Sequence, residues 1–189
     1  MNVIDSKSLE RDAGEKPVPT FSHPALAEFA ADFGAAHKRV RLVLFRGMAL
    51  EMSASPLSAS PPSSYRVAIA EPRHQSDELL LRHKTTLRDR YERPLAAAAA
   101  AVEADEILFL NERDELCEGA RCNVFVMREG QLLTPPLSCG LLPGTLRARL
   151  LHQGHAREAM LGLADITPAT QWFMGNSVRG LVPAALVAS

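Results

Sequence analysis

Residues 106–134 alternate short apolar runs with turn residues, and no other stretch restricts the fold as much. EILFL (106–110), four apolar residues behind Glu106, has strand length, and NERDE (111–115) is a turn. CNVFVM (122–127) then leads through the hairpin residues Arg128, Glu129, Gly130 and Gln131 into QLLT (131–134). Runs of this kind read as a buried strand followed by a β-hairpin. VRLVLF (40–45), YRVAIA (65–70) and residues 172–174 read as further strands. Helices alternate with them. Residues 21–36 place Leu26, Phe29, Ala30 and Phe33 at helical spacing behind Ser22 and Pro24. Residues 85–104 contain six consecutive alanines, read as a close-packing surface, and Pro94, which predicts a kink or a break into two helices. Residues 146–152 form a short helix opening at Pro143-Gly144-Thr145 and stopping near Gly154, and residues 163–170 another. Strands and helices mixed in this order predict an α/β (mixed α+β) fold rather than a bundle or sandwich. The Ser/Pro-rich SASPLSASPPSS (53–64) reads as a connector and domain boundary, and residues 1–20 have no clear period.

Charge and composition narrow the function. A formal net charge of −1 over 189 residues gives no reason to expect nucleic acid or a membrane as partner. No apolar run reaches the roughly 18 residues of a membrane span, and MNVIDSKSLERD lacks the apolar core of a signal peptide, so a soluble, cytoplasmic protein is expected. Cys117, Cys122 and Cys139 are neither an even disulfide set nor a paired metal motif, and no metal is expected. Lysine is scarce: Lys7, Lys16, Lys38 and Lys84 are the only four, and Lys84 stands alone from residue 39 onward. Arginine supplies surface charge as well as lysine does but stays protonated and cannot form an imine. A lysine retained in an arginine-rich stretch is therefore a candidate for amine chemistry.

Four stretches carry a more specific signal: RHKTTLRDRYE (82–92), LCEGARCNVFV (116–126), SCGLLPGTLRARLL (138–151) and GNSVRGLVPA (175–184). In this order and spacing they resemble the class IV aminotransferases, fold-type IV enzymes of pyridoxal 5'-phosphate, and among them most the aminodeoxychorismate lyases. The resemblance implies the large domain of that fold over residues 65–189, holding the cofactor, with residues 1–64 a remnant of a small N-terminal domain and a linker. It implies that Lys84 forms an imine with the cofactor and that Glu118 faces the pyridine nitrogen and keeps it protonated. Gly144, Thr145 and Leu146 would present backbone N–H groups to the phosphate at a helix N-terminus, and Ser177, with Asn176, would add polar contacts. Thr86 is a candidate proton donor to the leaving group. Arg179 either meets a substrate carboxylate or forms a structural ion pair. Asn123 is expected to hold its turn. The family tyrosine shortly after the lysine has no clear counterpart, with Asp89 at the first position to consider and Tyr91 two further on. For the family arginine that contacts the phosphate, Arg41 and Arg46 are the nearest candidates.

The implied reaction is release of pyruvate from 4-amino-4-deoxychorismate to give 4-aminobenzoate, for folate synthesis, by a homodimer acting on a small molecule. The alternatives are a transaminase of branched-chain or D-amino acids, with the same lysine moving the proton, and a non-catalytic family member.

Overall fold

A computed structural model describes residues 28–34, 37–45, 49–57 and 62–187, which fall into two compact units divided between residues 57 and 62. In the smaller unit, residues 28–30 are helical and continue as a 3-10 turn, Ala31–Phe33, with the Phe29 and Phe33 rings edge to face at 5.4 Å. The remainder of the helix expected over 21–36 and the irregular start over 1–20 lie outside the described residues. β1 (Lys38–Leu44) pairs antiparallel with β2 (Leu50–Pro56). β2 corrects the sequence reading, because residues 53–56 of the supposed connector are strand. Their composition reads as a linker, but the pairing partner across the hairpin supplies what local propensity lacks.

The larger unit is built on a closed sheet. Its strands are β3 (Tyr65–Ile69), β4 (Glu106–Leu110), β5 (Leu116–Gly119), β6 (Asn123–Arg128), β7 (Gln131–Thr134), β8 (Ala156–Glu158), β9 (Trp172–Asn176) and β10 (Gly180–Leu186). They follow the order β5-β4-β3-β10-β9-β6, and β6 also pairs with β5, so six strands form a ring from which β7 and β8 extend. The β5–β6 pairing consists of Glu118 opposite Asn123, next to the hairpin bond from Gly119 N to Cys122 O at 2.7 Å. Beyond it the two strands part, β5 toward β4 and β6 toward β9 and β7.

Period-two alternation sorts the strand side chains into separate cores. Leu108 and Leu110 of β4, Val124 and Val126 of β6, and Trp172 and Met174 of β9 share one apolar cluster. Ile107 and Phe109 point the other way, into a cluster with Tyr91, Leu81 and Leu141, against which Leu95 and Ala98 pack. Phe125 and Phe173 meet Leu146 and Leu150 of the second helix in a third. A strand buried on both faces reads as a continuous apolar run, as residues 107–110 do.

Helix α1 (Asp89–Val102) starts four residues later than expected, and residues 83–88 are loop. Pro94 does not break it: near the N-terminal end its ring removes one hydrogen bond, and the alanines that follow restore propensity. The expected close packing of the alanine run is also corrected, since Ala98 is half-buried and Ala96, Ala97, Ala99, Ala100 and Ala101 are exposed. Helix α2 (Thr145–His152) agrees with the sequence reading to one residue. The helix expected over 163–170 is only the 3-10 turn Leu163–Asp165. No helix among the described residues is long and apolar enough to cross a membrane.

Candidate active site

A cavity of about 330 Å³ opens where β5 and β6 part. Lys84, Glu118, Gly144, Thr145, Leu146, Asn176 and Ser177, drawn from four separate stretches of the chain, all line it. Thr86 and Arg179 are not among its lining residues, and Thr85 stands there in place of Thr86, its Oγ1 accepting a bond from Leu87 N at 3.2 Å.

Glu118 is the electrostatic centre. It is 4% exposed, yet both carboxylate oxygens have donors: Tyr91 Oη–H gives to Oε1 at 2.9 Å and Leu142 N–H gives to Oε2 at 3.1 Å. Burial pushes its carboxyl up to about 7, against the opposing pull of those two donors and of the Lys84 and Arg88 cations. A carboxyl so placed exchanges its proton near neutrality.

Beside it, the start of α2 forms a cup in the cavity wall. Gly144 is the N-cap of α2 and carries no capping side chain, so the first-turn N–H groups have no side-chain acceptor. Asn123, on β6, shapes this cup: its Nδ2 donates to Leu142 O at 3.0 Å, and a Cβ added at position 144 would come within 2.2 Å of its Oδ1. The expectation that Asn123 holds a turn was too narrow, since it also lines the cavity and fixes the backbone at the helix start. Gly144→Ala is expected to force the Asn123 amide out of place and lower affinity for a phosphate-bearing ligand about tenfold, the cost of one lost hydrogen bond with its displaced partner, measurable by calorimetric titration.

Asn176 spends its amide on the β9–β10 turn. Its Oδ1 accepts from Val178 N at 2.9 Å and Arg179 N at 3.0 Å, and its Nδ2 donates to Arg121 O at 3.3 Å, which leaves Ser177 exposed at the turn. Tyr91 and Arg88 complete the wall. Arg88 lies 5.0 Å from the centre of the Tyr91 ring and donates to Ala120 O. Tyr91 is one of only two tyrosines in the chain, a signal the sequence offered, but its seven-residue distance from Lys84 hid its direction. Asp89, the other position considered, is exposed and pairs with Arg93. Arg41 is an exposed residue of β1 in the smaller unit, and Arg46 lies outside the described residues.

The fold defines a class before any sequence match does. A candidate 4-amino-4-deoxychorismate lyase from Legionella pneumophila superposes with a TM-score of 0.71 at 21% identity, covering 95% of this chain and 74% of that one, and this is the fold-type IV arrangement. A candidate amino-acid aminotransferase from Mesorhizobium loti superposes with a TM-score of 0.78 at 38% identity, covering 96% of this chain and 87% of that one. Residues 23–187 match the sequence profile described as Amino-transferase class IV, and the chain belongs to that family of pyridoxal-phosphate-dependent enzymes. Aminodeoxychorismate lyase of Saccharomyces cerevisiae is 31% identical over 116 residues, 52% of this chain and 31% of the yeast protein. The chain spans about a third of the length of the curated relatives it matches.

Proposed function

We propose that this chain is a pyridoxal-phosphate enzyme that releases pyruvate from 4-amino-4-deoxychorismate or a closely related amino substrate, with Lys84 as the reactive amine. The observation that carries this reading is the convergence of Lys84, Glu118, the uncapped start of α2 and Ser177 on one cavity. The donor set fits the cofactor: an amine for its aldehyde, a buried carboxyl for its ring nitrogen, and backbone N–H groups with a hydroxyl for its phosphate. Bound there, pyridoxal phosphate supplies an electron sink for chemistry at the substrate α-carbon. Lys84 Nζ would hold the cofactor at its aldehyde, and the same amine is the base this chain offers for the α-proton of a substrate. Glu118 would hold a proton at the ring nitrogen, and the N–H groups of Thr145 and Leu146 would hold the phosphate at the positive end of the α2 dipole. On this reading residues 65–189 carry the cofactor, residues 1–64 belong to the small N-terminal domain and linker, and the active species is a homodimer.

Transamination is the second reading, favoured by the name of the 38%-identical Mesorhizobium loti protein. That protein is matched over 87% of its length. The experiment is a titration with pyridoxal phosphate, in which an absorbance band near roughly 410 nm is expected. Pyruvate release from aminodeoxychorismate without a keto acid then indicates the lyase. Turnover that requires a keto acid indicates the transaminase, and absence of the band at saturating cofactor overturns both.

A further inference from the structure

Glu118 is held from behind by a side chain that the matched motifs do not assign. Tyr91, at the third position of α1, is 9% exposed, and its hydroxyl donates to Glu118 Oε1 at 2.9 Å. The ring is fixed on several sides. His74 and Phe109 each meet it edge to face at 5.5 Å, and the Arg88 guanidinium lies 5.0 Å from its centre. His74 is itself stacked on the fully buried Phe109 at 4.4 Å, so this packing forms a continuous block behind the tyrosine. With the ring held in this way, the direction of the O–H bond is set by the core. A carboxylate offers about four acceptor positions. Tyr91 occupies one on Oε1, and Leu142 N–H, at 3.1 Å, occupies one on Oε2. The remaining ones belong to a group that lines the cavity.

We propose that Tyr91 is a positioning residue, whose hydroxyl orients Glu118 so that its free acceptor positions meet the ring nitrogen of the bound cofactor. The inference rests on the cofactor reading above and deepens it. It assigns Tyr91 no contact with the cofactor and no proton transfer. It differs from the plainer account, in which Tyr91 merely fills the core and Glu118 merely satisfies its hydroxyl, in what it predicts for a ligand without a ring nitrogen.

The test compares wild type and Tyr91→Phe, which keeps the ring and its packing and removes one oxygen atom. Each is titrated by calorimetry with pyridoxal phosphate and with the analogue in which the ring nitrogen is replaced by C–H. The expected result is about a tenfold loss of affinity for pyridoxal phosphate in Tyr91→Phe, the scale of a hydrogen bond to a charged group, with affinity for the nitrogen-free analogue unchanged. An equal loss for both ligands overturns the proposal in favour of a packing role, and no loss for either overturns it outright. If wild type binds neither ligand, the cofactor reading itself fails and takes this one with it. Thermal melts of the two proteins without ligand identify a variant that has simply lost its fold. In that case Tyr91→His, which returns a ring donor, is titrated instead, and failure to retain the preference for the nitrogen-bearing ligand overturns the proposal.

Discussion

Lys84→Ala is expected to abolish the visible band and to reduce turnover by at least about 10²–10⁴-fold, the range for loss of a positioned acid–base group. Among the described residues no other amine lines the cavity: its remaining basic side chains are His83, Arg88, Arg90 and Arg121. Arginine cannot stand in, because its guanidinium does not deprotonate at neutral pH. Lys84→Arg is therefore expected to be as inactive as the alanine variant although it keeps the charge. Lys84 is exposed in a loop, so neither change should alter stability by more than about 0.5 kcal/mol. The measurements are the absorbance spectrum with pyridoxal phosphate and a thermal melt of each variant. A band that survives in Lys84→Ala would place the anchoring amine elsewhere.

Glu118→Gln is the second large effect, and it separates binding from chemistry. The amide keeps the shape of the carboxylate, and its oxygen can still accept from Tyr91 or Leu142, so the fold and the visible band are expected to persist. Turnover is expected to fall by about 10²–10⁴-fold, because a neutral amide cannot keep the ring nitrogen protonated. A second readout comes from the cofactor-free protein. Burial pushes the Glu118 carboxyl up to about 7, whereas an unfolded glutamate ionises near 4.3. Between those values the folded state holds a proton that the unfolded chain has released, so this group's contribution to stability is lost as pH rises. Glutamine does not titrate. The Tm of Glu118→Gln should therefore improve relative to wild type from pH 5 to pH 8, and an unchanged difference would mean that the buried carboxyl does not control this slope.

Much of this arrangement was legible because it depends on local pattern. β4 and β7 agree with the expected strands residue for residue, since their apolar runs are short and flanked by turn residues. The missed strands lacked such runs. SASP in β2 is small and polar, and GLVPAAL in β10 contains a proline, whose position pairs with Phe173 of β9 on the antiparallel side. β5 carries no such run either: LCEG has a glutamate within a fully buried strand, and that glutamate lines the cavity. A polar residue at a core position weakens the strand signal. The lining of the cavity by Lys84, Glu118, Gly144 and Ser177 followed from motif order. The part played by Tyr91 did not, since the direction of its hydroxyl depends on His74 and Phe109, two neighbours remote in sequence.

The single residue pair that closes the ring also bears on how the site assembles. Glu118 and Asn123 are five positions apart in the chain, while the pairing of β3 with β10 joins Tyr65 to Ala184. Closing a short loop costs far less chain entropy than closing a long one, because the penalty grows with the logarithm of the length enclosed. The buried Glu106 carboxylate, by accepting from Ala120 N at 2.9 Å and Arg121 N at 3.2 Å, stiffens the intervening turn as well. The carboxyl and the amide, both of which line the cavity, thus sit on the same hairpin. Their mutual alignment is a local property of about ten residues, whereas the distance from that hairpin to Lys84 depends on the whole sheet. Substitutions in the distant strands should accordingly disturb the reach of the amine before they disturb the Glu118–Asn123 pair.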